Sequence, residues 1–169
     1  MSFMYNPFPF DDPKPINRPK LSEKTVDSIV TGGTPNVAKK FVAEIAGKVK
    51  EEGVIVGIDG YTTANWNLFV DLLARECVIN GFEFEAVDSK AVLKSGKEID
   101  DMIDPLLIWD TKIDPTLLYG KLYHGGYIGL FDQAKVAEFK GAVPAKKTPG
   151  KLVVVAGYGC MVPELRDMY

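Results

Sequence analysis

The stretch that decides the fold runs from Gly53 to Glu76, GVIVGIDGYTTANWNLFVDLLARE. Val54, Ile55 and Val56 form a continuous apolar run that stops at a glycine. That run predicts a strand buried on both faces, as in a parallel sheet, rather than the alternation of an antiparallel strand. A polar turn follows. Trp66, Phe69, Leu72, Leu73 and Cys77 then recur at helical spacing and stop at Asn80-Gly81. A strand, a glycine-containing turn and a helix in this order aim backbone N–H groups and the positive helix end at whatever lies above them. A phosphate or carboxylate is the natural guest. The candidate phosphate- or nucleotide-binding residues are therefore Gly60, Tyr61, Thr62, Thr63, Ala64, Asn65, Trp66 and Asn67, with Thr62, Thr63 and Asn65 as added donors.

Similar units flank this stretch. Ser22 can cap a short helix. TGGTP at 31–35 is a break, and Pro35 opens a longer helix at a tolerated position. Its apolar residues Val37, Ala38, Phe41, Val42, Ile45, Ala46 and Val49 keep helical spacing up to Gly53. A second strand is expected over Phe82–Val87, ending at Asp88, and a third in KLVVVAGYG at 151–159. Between them, GKEIDDMID reads as a short helix stopped by Pro105, and Leu106–Trp109 as a short strand or buried extended piece. DPTLLYGKLYHGGYIGLFD at 114–132 reads as a structured loop with helical turns. Asp132 can cap a helix to about Lys140, and Pro163 opens a last one. Apolar strands alternating with helices imply an α/β fold with a parallel sheet and helices on both faces.

Residues 1–20, MSFMYNPFPFDDPKPINRPK, stand apart. Five prolines interleaved with Phe3, Tyr5, Phe8 and Phe10 predict an extended arm, packed on its own domain or docked on a partner. Residues 21–169 are read as the α/β domain.

Composition excludes several classes. The chain has 169 residues, enough for one domain. Lys and Arg number 20 against 23 Asp and Glu, a net charge of −3, which argues against a nucleic-acid binder. No apolar run approaches a membrane span and no secretory signal pattern opens the chain, so a cytoplasmic protein is expected. Cys77 and Cys160 form no CxxC motif, and a single histidine, His124, cannot build a multi-imidazole zinc site.

The residues also carry a family resemblance. IVGIDGYTTANWNLFVDLLARE at 55–76 resembles the first strand, Walker A loop and helix of the uridine kinase and phosphoribulokinase group of P-loop kinases. EFEAVDS at 83–89 is similar to that group's second strand, with Asp88 where an acidic residue lies near the acceptor hydroxyl. LVVVAGYGCMVPELRDMY at 152–169 resembles the third strand and the helix after it. The resemblance implies a three-layer parallel sheet of P-loop NTPase type, truncated before the last strands and the mobile lid. The strand at 54–56 would then lie at or near a sheet edge. The departures matter. Walker A reads G-x-x-x-x-G-K-[ST]. Here Asn65 replaces the second glycine, Trp66 the lysine and Asn67 the magnesium-binding hydroxyl. Ala156 stands before Gly157 where the family tends to carry Glu. Losing a cationic clamp commonly costs orders of magnitude in phosphoryl-transfer rate. Trp66 also has a second reading, as a helix residue packed on the core.

A narrower resemblance joins the arm YNPFPFDDPKPINRP, the loop GIDGYTTANW and the 114–132 segment. Together they resemble the N-terminal, kinase-like half of long bacterial proteins classed as type I mannose-6-phosphate isomerases. In those proteins the zinc chemistry belongs to a C-terminal cupin part.

Three functions stay open. The first is a degenerate kinase-like domain of a sugar-phosphate-metabolising protein, binding a phosphorylated sugar or nucleotide without efficient transfer. The second is a divergent ATP- and Mg²⁺-dependent sugar or nucleoside kinase, with Asp88 as base and Lys121 or Lys112 as surrogate cation. The third is a non-binding pseudo-kinase module that docks on an isomerase domain or on a second subunit covering the sheet edge. Lys121, Tyr123 and His124 are candidate substrate contacts among aromatic rings. Asp59 reads as a turn cap. Asp100, Asp101, Asp104, Asp110 and Asp114 read as a solvated acidic face rather than a metal site. Cys77 and Cys160 read as structural, although the position of Cys160 near a helix start favours a thiolate.

Overall fold

The computed structural model describes residues 21–61, 64–116 and 119–169. The arm at 1–20 lies outside the described residues. Helix α1 spans Glu23–Ser28 and is capped by the Ser22 hydroxyl, which accepts from Thr25 N–H. Helix α2 spans Thr34–Glu52 and ends at Gly53, whose φ is +71°. A Cβ at Gly53 would collide with the Thr148 carbonyl, so this turn into the sheet requires glycine.

Three parallel strands follow among the described residues: β1 at Val54–Ile58, β2 at Glu83–Asp88 and β3 at Lys151–Ala156. Their order is β1-β3-β2, with Val54 opposite Leu152 and Phe84 also opposite Leu152. The last strand in sequence is thus the central one. Its Leu152, Val153, Val154 and Val155 are fully buried, and each such side chain contributes about 1.5–3 kcal/mol relative to exposure. By contrast, β1 has only Ile55 buried. Among the described strands it lies at the edge of the sheet.

The period-two alternation of β3 divides the core. Leu152 and Val154 pack with Ala38, Val42 and Val49 of α2 and with Leu73 and Cys77 of helix α3, Trp66–Ile79. Val153 and Val155 pack on the other face with Val92, Phe131, Cys160, Leu165 and the Val136 and Phe139 side chains of helix α5, Gln133–Ala142. Helices on both sides of a parallel sheet make the α/β class plain.

The remaining elements are short. Helix α4, Gly96–Ile103, opens with a capping box in which Ser95 and Glu98 bond reciprocally. Asp132 caps α5 as expected, and helix α6 covers only Pro163–Arg166. The expectation for Leu106–Trp109 is corrected. Leu107 makes one isolated bridge to Gly120, while Ile108 and Trp109 are exposed. This segment follows a turn closed by Pro105, and its Trp109 indole donates to the Asp104 carbonyl instead of joining the sheet. Among the described residues, no helix is long and apolar enough to cross a membrane.

Candidate functional site

Open parallel sheets bind ligands beyond the carboxyl ends of their strands. At that end lies a cleft of about 200 Å³, lined by Trp66, Asn67 and Val70 of α3, Ala86, Val87 and Asp88 of β2, Lys90, and Ala156, Gly157 and Tyr158 after β3. Helix α3 brings its first turn here because Asn65 caps it, accepting from Leu68 N–H at 3.1 Å. The Trp66 ring meets Tyr158 edge-on at 6.4 Å between centroids. It also lies over Gly60, where a Cβ would stand 2.7 Å from the indole. Trp66 Nε1 is buried and has no hydrogen-bond partner among the described residues. The Trp66 ring thus packs against Gly60 and Tyr158 and walls the cleft.

Asp88 ends β2 and caps the 3-10 turn Ser89–Val92, accepting from Lys90 N–H at 2.8 Å. The turn carries Lys90 to the cleft wall. Gly157, with φ +132°, lets β3 pass close to Asp88 and Ser89; a Cβ there would collide with the Ser89 hydroxyl. That buried hydroxyl donates to the Tyr158 carbonyl at 3.1 Å.

The loop after β1 is held differently from a phosphate cradle. Asp59 accepts from Gly60 N–H at 2.8 Å, Gly159 N–H at 3.3 Å and Met161 N–H at 3.1 Å. Ala64 N–H donates to the Tyr61 carbonyl, and Trp66 N–H to the Ala64 carbonyl. Much of the loop's donor capacity is thus satisfied internally, and the turn carries a carboxylate. Thr62 and Thr63 lie outside the described residues. Burial, followed by the Asp59 charge, pushes the Cys160 thiol up to about 11 and raises the Tyr127 phenol. Cys160 is buried, in keeping with the structural reading. Burial likewise raises the Cys77 thiol to about 11.

Of the predicted residues, the fold brings Trp66, Asn67 and Asp88 into one cleft. Lys121, Tyr123 and His124 do not line it. Lys121 and His124 are exposed, and the Tyr123 hydroxyl end sits by Gly125 and Gly129. The cation at the cleft is Lys90, which the sequence signalled only by following a strand-end aspartate by two positions. Asp114 departs from the solvated face: it is buried and accepts from Tyr119 N–H at 2.7 Å. Among the described residues, no group of three or more metal-ligating side chains comes together. Among the described residues the loop lacks the Walker A lysine and metal hydroxyl and gives its Gly60 N–H to Asp59, a donor set that does not fit ATP held with Mg²⁺.

The family model described as a domain of unknown function, DUF8485, matches residues 38–168. The chain belongs to the DUF8485 family. No curated protein and no solved structure matches the chain. The DUF8485 span takes in all three strands and every residue lining the cleft, so the cleft belongs to the shared domain. The arm, α1 and the first turn of α2 precede it.

Proposed function

We propose that this DUF8485 chain is a degenerate kinase-like domain that binds a phosphorylated sugar or nucleotide and does not transfer phosphate efficiently. In this reading it is the kinase-like part of a sugar-phosphate-metabolising protein. The observation that carries the proposal is the convergence of Trp66, Asn67, Asp88, Lys90 and Tyr158 on one cleft at the carboxyl end of the sheet. Lys90 meets the phosphate in place of the absent loop lysine. The Asp88 carboxylate accepts from a sugar hydroxyl, and the Trp66 and Tyr158 rings pack on the C–H face of a sugar or on a base. The Asp59-satisfied loop supports binding without catalysis, because among the described residues no cation stands in the loop where the Walker A lysine would.

The test is a thermal-shift titration with mannose 6-phosphate, fructose 6-phosphate, ATP and GTP. A ligand at 100 times its Kd stabilises by about 2.7 kcal/mol, a melting shift of roughly 5–10 °C for a chain of this size. Lys90→Ala should abolish the shift while leaving the unliganded melting point in place. No shift with any of the four at millimolar concentration rejects the proposal. ADP release above background with a sugar acceptor would establish the active-kinase alternative instead.

A further inference from the structure

Trp66 divides the carboxyl end of the sheet in two. On one side the tip of its ring covers Gly60, where a Cβ would stand 2.7 Å from the indole. On the other side the ring lines the cleft of about 200 Å³. The described residues of that cleft come from α3, from β2 and the turn after it, and from the end of β3 and the two residues beyond. Asp59, Gly60 and Tyr61 do not line it. The indole therefore stands as a partition between the loop after β1 and the cleft.

The cleft left on the far side of this partition suits one class of ligand. Pockets for drug-sized molecules run from roughly 300 to 1,000 Å³. A cleft of about 200 Å³ lies below that range. It matches a hexose phosphate, which has roughly half the non-hydrogen atoms of a nucleoside triphosphate. Charge points the same way. Lys90 is the one cation and Asp88 the one carboxylate among the described lining residues. A single ammonium meets a single phosphate. A longer phosphate chain directed at the loop would instead meet the carboxylate of Asp59, which already accepts from Gly60 and Gly159 N–H. The rings add a third argument. Trp66 and Tyr158 meet with their planes at 81°, so they form no parallel slot into which a flat base could slide. Crossed rings offer single faces, and the C–H face of a sugar packs on one such face.

We propose that Trp66 is the specificity-determining residue of the cleft. By shutting off the loop, its indole restricts the ligand to a sugar monophosphate and excludes nucleotides. This inference rests on the binding reading proposed above and narrows it.

The test compares mannose 6-phosphate, AMP and ATP by concentration-dependent melting shift. AMP also carries one phosphate, so it separates the base from the charge. Fluorescence gives a second readout. The chain has two tryptophans, and Trp109 is exposed and outside the cleft, so Trp109→Phe leaves the Trp66 signal alone. Mannose 6-phosphate should change that emission and bind at least ~10-fold more tightly than either nucleotide, specificity being a difference of affinities. Trp66→Ala removes the partition and should bring AMP within ~3-fold of mannose 6-phosphate. Trp66→Phe keeps a smaller ring and loses no indole hydrogen bond seen among the described residues. It should give an intermediate preference, and it serves if the alanine variant does not fold. AMP or ATP binding as tightly as mannose 6-phosphate to the unaltered chain overturns the inference and leaves the binding reading standing. A preference unchanged in the Trp66 variants also overturns it. Binding of none of the three ligands overturns both.

Discussion

Gly57→Ala probes how the C-terminal segment closes on β1. Gly57 faces the layer that holds Met161 and Tyr169, and a Cβ there would stand 2.6 Å from Met161 Sδ and 2.6 Å from the Tyr169 ring. The Tyr169 hydroxyl donates to the Cys160 carbonyl at 2.8 Å, so the ring cannot swing away without breaking that bond. Overpacking of this kind costs about 1–3 kcal/mol, and a lost hydrogen bond adds about 1 kcal/mol. The expected penalty is thus about 2–4 kcal/mol in urea unfolding, with the m-value unchanged. The same substitution in a Met161→Ala, Tyr169→Ala background has nothing to strike. There it should be neutral, or stabilising by about 0.5 kcal/mol, because alanine loses less backbone freedom than glycine on folding. Equal penalties in the two backgrounds would refute the reasoning, because additivity is the signature of residues that do not touch.

Other perturbations address the site and the surface. Asp59→Ala removes the acceptor for Gly60, Gly159 and Met161 and should destabilise by about 2–4 kcal/mol, while Asp59→Asn should cost less; calorimetry compares them. Glu85 is held below the usual carboxylate range, first by its hydrogen bond from Lys146 and then by that from Lys151. A lowered folded pKa means its stabilisation is present above the unfolded value of about 4.3 and is lost as pH falls through the folded pKa. Glu85→Gln should therefore flatten the acid limb of the stability–pH curve, by about 1 kcal/mol for this partly exposed cluster. Cys77 and Cys160 are buried with thiols near 11. At pH 8 a thiol-specific reagent should label them only at the unfolding rate, and rapid labelling of the native chain would contradict their placement.

Much of the fold was written locally. The apolar runs at Val54–Val56 and Leu152–Val155 announce parallel strands, and Ser22, Asp132 and Gly53 mark helix limits where the caps form. The capping box of Ser95 and Glu98 was equally local, as a Ser-x-x-Glu spacing. What sequence could not supply is contact between distant segments. Asp59 reads as a turn cap because Gly60 is adjacent, yet two of its three partners lie 100 and 102 positions onward. Asp114 sits in an acidic series, and only the fold shows that it turns inward to Tyr119. Lys90 resembles any surface lysine until the turn at Ser89–Val92 swings it to the cleft. Lys121, Tyr123 and His124 read as substrate contacts among aromatic rings, yet they do not line the cleft, and neighbouring Gly120 bridges to Leu107.

The strand order also bears on how the chain folds during synthesis. Because β3 separates β1 from β2, neither earlier strand has a partner among the described strands until Lys151–Ala156 has left the ribosome. A nascent chain of 150 residues carries two unpaired apolar strands and both helices of one layer, with no sheet to close them. Contacts so distant in sequence slow folding and prolong exposure of sticky surface. The domain is therefore committed in a single late event, and truncation anywhere before Ala156 should yield a chaperone substrate rather than a smaller domain.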